Sequence, residues 1–121
     1  METKKLTINE QFLTLDQAKE LQELGVDIYG NFEIDIDDNG FETIEKVGTF
    51  ASDTFEYYKK SIPTLSVAEM LEMLPDNTEI ESVNGYLIYN ERLKINGGIY
   101  KPLLRDALFE MLKWLKQNKL I

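Results

Sequence analysis

The chain has 121 residues, 43% of them hydrophobic and 29% charged, a globular balance that suits one domain spanning residues 1–121. Net charge is −9, and there is neither histidine nor cysteine, which excludes disulfides, thiolate metal sites, cysteine nucleophiles and imidazole acid–base chemistry. No apolar run approaches the roughly 18 residues of a membrane span. The stretch Met1 to Ile8 carries two lysines with no apolar segment behind them, which does not read as a secretory signal. The expected setting is the cytoplasm, with no membrane partner.

The charge is unevenly spread. Glu20 to Glu45 holds nine acids and no base, whereas Arg92 to Ile121 holds seven bases and two acids. The simplest expectation is self-complementarity, with the basic helix packed near the acidic hairpin and both solvated. Carboxylates paired in that way would be depressed in pKa, so stability is expected to fall in acid.

Thr14-Leu15-Asp16-Gln17 has the spacing of a capping box. Leu15, Ala18, Leu21 and Leu24 follow on one face, so the spacing predicts a helix over Leu15 to Leu24. Gly25 suits a left-handed helix end, which would bring Val26 against Leu21. Asn39-Gly40, Asn84-Gly85 and Asn96-Gly97 are hairpin signals. Around the first, Phe32, Ile34 and Ile36 alternate with Glu33, Asp35 and Asp37. A loop of even length would put Phe41 and Val47 on the face of those apolar residues, and such a loop is expected. Phe55 to Lys60 is a weaker strand candidate. Thr64-Leu65-Ser66-Val67 repeats the helix start seen at Thr14, fifty positions later, and Pro75 closes that second helix. Nothing between the two helices repeats, so two similar helices are expected and no duplication. Strands are expected near Glu79–Val83, Tyr86–Ile95 and Ile99–Lys101. A third helix follows Pro102 and runs from about Leu103 to Asn118. The sum is an α+β fold, an antiparallel sheet of hairpins with about three helices packed on one side.

Asp35-Ile36-Asp37-Asp38-Asn39-Gly40 matches the first half of a calcium-binding loop, with Asp35, Asp37 and Asn39 as ligand positions. The twelfth position is Lys46, where the loop needs a bidentate glutamate, so an acidic hairpin turn is expected, with no metal and no cofactor. No G-x-S-x-G serine and no phosphate-cradling loop occurs. No catalytic residues are assigned, and the chain does not read as an enzyme.

On a wheel of the third helix, Leu103, Leu104, Ala107, Leu108, Met111, Leu112 and Leu115 fill one arc. Phe109 falls in the opposite, polar arc between Lys113 and Lys116. Two accounts are open. The segment carrying Leu6, Ile8, Phe12 and Leu13 covers the ring, or Phe109 anchors a partner or a second copy, with Lys113 and Lys116 as rim.

Leu21-Gln22-Glu23-Leu24-Gly25-Val26-Asp27, then Pro63-Thr64-Leu65-Ser66 leading to Met73-Leu74-Pro75, and the closing helix from Asp106 through Trp114 to Leu115 come in an order that resembles small phage and prophage proteins. These are frequent in Bacteroidetes genomes and usually uncharacterised. The stretch Phe32 to Lys60 departs from them. The resemblance implies a mobile-element origin and a bacterial cytoplasm, and it brings no site residues. The expectation is a non-catalytic module that binds an unknown protein or itself. The alternative is an acidic DNA mimic or a weakly nucleic-acid-associated regulator, the latter resting on Arg105, Lys113, Lys116 and Lys119.

Overall fold

The computed structural model describes residues 8–28, 31–46, 60–93 and 98–121. After a 3-10 turn, Ile8–Gln11, come helix α1 (Leu15–Glu23), strands β1 (Phe32–Ile36), β2 (Glu42–Lys46) and β3 (Lys60–Thr64), and helix α2 (Val67–Glu72). Strands β4 (Thr78–Ser82), β5 (Tyr86–Asn90) and β6 (Ile99–Lys101) and helix α3 (Leu104–Gln117) complete the order. The class is α+β. The described strands form two antiparallel sheets of three strands each, ordered β2-β1-β3 and β4-β5-β6.

Helix α1 starts as its residues require. Thr14 Oγ1 accepts from the Gln17 amide at 3.2 Å, and Gln17 Oε1 accepts from the Thr14 amide at 3.0 Å. It ends in a Schellman motif: Gly25 has φ +90°, and the Val26 amide reaches back to the Leu21 carbonyl at 3.0 Å. Val26 and Leu21 are both buried in the core, as the spacing implied.

Helix α2 starts two residues later than expected. Its cap is Ser66, whose Oγ accepts from the Glu69 amide while Glu69 Oε1 accepts from the Ser66 amide. Capping from Thr64 would place Val67 third in the helix, and valine has no group to reach back. Thr64 instead ends β3, is buried, and donates its hydroxyl to the Leu13 carbonyl at 3.3 Å. The Leu13 amide donates to the Leu65 carbonyl at 3.0 Å, and Phe12 bridges Ser66. The segments leading into the two similar helices are therefore cross-strand neighbours. Of the candidate strand Phe55 to Lys60, residues 55–59 lie outside the described residues, as do the turn Asn96-Gly97 and Val47. Pro63 lies in β3, which borders its sheet among the described strands, a place where a missing ladder donor is tolerated.

The first hairpin corrects the parity expectation. Register pairs Ile36 with Glu42 and Ile34 with Ile44, and the Asp37 amide donates to the Phe41 carbonyl. The loop is thus the three residues Asp38, Asn39 and Gly40, with Gly40 at φ +80°. Asp37 Oδ1 accepts from the amides of Asn39 and Phe41, both at 2.9 Å, which closes this tighter loop. Phe41 consequently leaves the Ile34 face and is 66% exposed.

Helix α3 is the hub of the core. It packs against α1, α2, β5 and β6. Ala107, Leu108, Phe109, Met111, Leu112 and Leu115 are all buried, together with Leu13, Ala18, Leu21, Leu65, Met70 and Ile88. Each fully buried large side chain contributes about 1.5–3 kcal/mol. Leu103, with no side-chain cap, opens the helix, so Pro102 lies outside its first turn. At the other end the Leu120 amide reaches the Leu115 carbonyl at 2.8 Å, and Lys119 occupies the left-handed position at φ +57°.

Candidate functional site

Phe109 is not an exposed anchor. It is 5% exposed and belongs to the core. The wheel failed because helix α3 is covered from two directions. Gln17 Nε2 donates to Asp106 Oδ1 at 2.8 Å, and Lys113 Nζ pairs with Glu20 Oε1 at 2.8 Å. Where a side chain at Gly25 would begin, the Lys116 Cε lies 3.4 Å away. These contacts follow the same order along both helices, so α1 runs alongside α3 in the same sense. Phe109 lies between Asp106 and Lys113 in this seam, with the Lys113 ammonium 5.9 Å from its ring centroid. The cover is α1. Of the preceding segment, Leu13 belongs to the same buried cluster as Phe109, Phe12 is edge-on to Phe32 at 4.9 Å, and Leu6 lies outside the described residues.

The partner-rim reading of Lys113 and Lys116 is corrected with it. The hydrogen bond from Lys113 to Glu20 raises the Lys113 pKa, and the Lys116 stem lies along the α1 end. The acidic partner of the basic helix is Glu20 on α1, where the hairpin was expected. The sequence carried a usable signal in Ala18 and Leu21, a narrow apolar stripe that needed a matching surface.

The calcium-loop positions do not converge. Asp35 is buried, and its Oδ1 accepts from Ser61 Oγ at 2.7 Å across the β1–β3 pair. Asp37 is engaged by the turn amides, and the flanks are strands. Among the described residues no cluster of three carboxylates could hold a metal ion. Asp35 shares its sheet face with Glu33 and Glu45, which stand directly opposite each other. Burial first, and then the charges of Asp35 and Glu45, push the Glu33 carboxyl up from its ordinary value.

A cleft of about 460 Å³ lies between the first sheet and the start of α1. Leu13, Leu15, Ile34 and Ile44 form its apolar wall, with Asp16, Glu42 and Arg105 among its charged lining. The Arg105 Nε donates to Asp106 Oδ1 at 3.0 Å, the oxygen that also accepts from Gln17. Thr14, the lining hydroxyl, serves the helix cap.

The outer face of the second sheet has a different character. Register places Glu79 opposite Tyr89, Glu81 opposite Leu87, and Leu87 opposite Tyr100. Ile88 and Ile99 point the other way, into the core. Tyr100 is 50% exposed and Val83, at the adjoining turn, is 60% exposed. The Tyr89 hydroxyl donates to Glu81 Oε1 at 3.1 Å, and bonding to Glu79 first, and then to Glu81, raises its pKa. The Tyr100 hydroxyl donates to the Asn84 carbonyl at 2.7 Å, with its ring over Gly85. A Cβ at Gly85 would meet that hydroxyl at 2.5 Å, which only glycine avoids. Sequence reading missed this face because alternation alone does not say which half of a strand meets the core.

Among the described residues, no helix is long and apolar enough to cross a membrane. No family of proteins matches the chain, and no curated protein or solved structure matches it.

Proposed function

We propose that this chain is a non-catalytic protein-interaction module that engages its partner through the outer face of the second sheet. One observation carries the reading: Leu87, Tyr89, Tyr100 and Val83 are grouped on the side of the sheet turned away from the core. Tyrosines held by hydrogen bonds offer large, rigid contact area at low entropic cost. The groups that acid–base or nucleophilic chemistry uses most, histidine and cysteine, are absent from the chain.

The test is site-specific photo-crosslinking. A benzophenone side chain replaces Val83 in one variant and Phe41 in another, both being exposed apolar positions, each beside the hairpin of a different sheet. The expected result, in host extract, is one discrete adduct from position 83 and none from position 41. Equal adducts from both positions would mean mere stickiness, and no adduct from position 83 would remove the reading.

A further inference from the structure

Strand β4 borders the second sheet, and no described strand pairs with its outer edge. An open edge presents unpaired amides and carbonyls to any extended segment that reaches it. Its side chains alternate in chemistry. Glu79 and Glu81 point to the outer face, and Ile80 points to the inner face opposite Ile88. Ile88 is fully buried, while Ile80, one strand nearer the edge, is 36% exposed. The apolar inner layer therefore stops one strand short of covering Ile80.

We infer that β4 receives an extended segment of a partner protein in which basic residues alternate with apolar ones. The inference rests on the interaction reading above and names the partner's chemistry. In such a segment the arginines or lysines would lie beside Glu79 and Glu81, and the apolar residue would lie beside Ile80, at cross-strand spacing. A second copy of β4 fits poorly, since it would set its own glutamates beside these. The other hairpin edge, β2, is less selective. Glu42 and Lys46 share one of its faces with Ile44, so opposite charges cancel there. On β4 the two charges are of one sign and on one face.

The probe is a labelled, end-capped peptide alternating arginine with valine, with a glutamate–valine peptide of equal length as control. Binding is read by fluorescence anisotropy at low and physiological salt. The arginine peptide is expected to bind, more weakly as salt rises. The double variant Glu79→Lys/Glu81→Lys is expected to lose at least tenfold affinity for it and to gain the glutamate peptide. A pair on the first sheet, Glu33→Gln/Glu45→Gln, is expected to leave affinity unchanged. Hydrogen exchange on the unaltered protein needs no variant to fold, and bound peptide is expected to protect amides of Thr78 to Ser82. No binding, equal weakening by both variant pairs, or protection centred on Glu42 to Lys46 would overturn the inference. Crosslinking from position 83 would survive that outcome, so failure of the basic-strand inference is distinguishable from failure of the interaction reading.

Discussion

Replacing Phe109 by alanine would empty a ring-sized volume in the seam between α1 and α3. The ring is 5% exposed and shares its cluster with Ala18 and Leu21 of α1 and with Leu112 of its own helix. Truncating a buried phenylalanine costs about 3–5 kcal/mol, the spread depending on how far the site collapses. For a chain of 121 residues the entropy of unfolding is about 0.25 kcal/mol/K, so Tm should drop by about 12–20 °C. Phe109→Leu keeps most of the volume and should lose about 1–1.5 kcal/mol, or about 4–6 °C. Thermal melts by circular dichroism measure the loss, and sedimentation velocity on the same samples should show an unchanged association state. An alanine variant within about 3 °C of the parent that also lost association would refute the reasoning. It would put the ring on the surface, where the wheel alone had placed it.

The cap register is tested by Ser66→Ala, which should lower stability by about 1 kcal/mol in urea titration; no change in the midpoint would point back to a cap at Thr64. At the end of α3, Lys119 holds φ +57°. Lys119→Gly should therefore stabilise by roughly 0.5–1 kcal/mol, while Gly25→Ala, at φ +90°, should cost about 1–2 kcal/mol. For Glu33 the folded-state pKa lies above the ordinary 4.5, so the native state holds its proton more tightly than the unfolded chain. Its charge thus destabilises the fold as pH rises from 4.5 through the raised value, and protonation relieves it. Glu33→Gln should raise Tm at pH 7, with the gain shrinking toward zero below pH 4.5; a gain independent of pH would exclude the charge as cause.

Features written in a few neighbouring residues were legible in the chain itself. The capping box at Thr14, the left-handed stop at Gly25 with Val26 returning to Leu21, the strand Ile99–Lys101 and the long amphipathic α3 all depend on interactions spanning one or two turns, or on a short alternating run. Competition between equally local options was harder to read. Thr64 and Ser66 both look like caps, and the choice fell to Ser66 because Glu69 reciprocates and Thr64 is claimed by Leu13, fifty-one positions away. Asn39-Gly40 permits both loop parities, and the Asp37 carboxylate, bridging two amides, decided for three residues. The placement of Phe109 was out of reach of any wheel. A wheel describes one helix against one partner, whereas α3 is enclosed by α1 on its nominally polar side, with Lys113 and Asp106 bonding across the seam over an apolar ring. The partition of strands into two sheets has the same origin, since strand pairing is settled by distant residues meeting in space. That partition leaves β4 with an edge that no described strand pairs, beside an aromatic face.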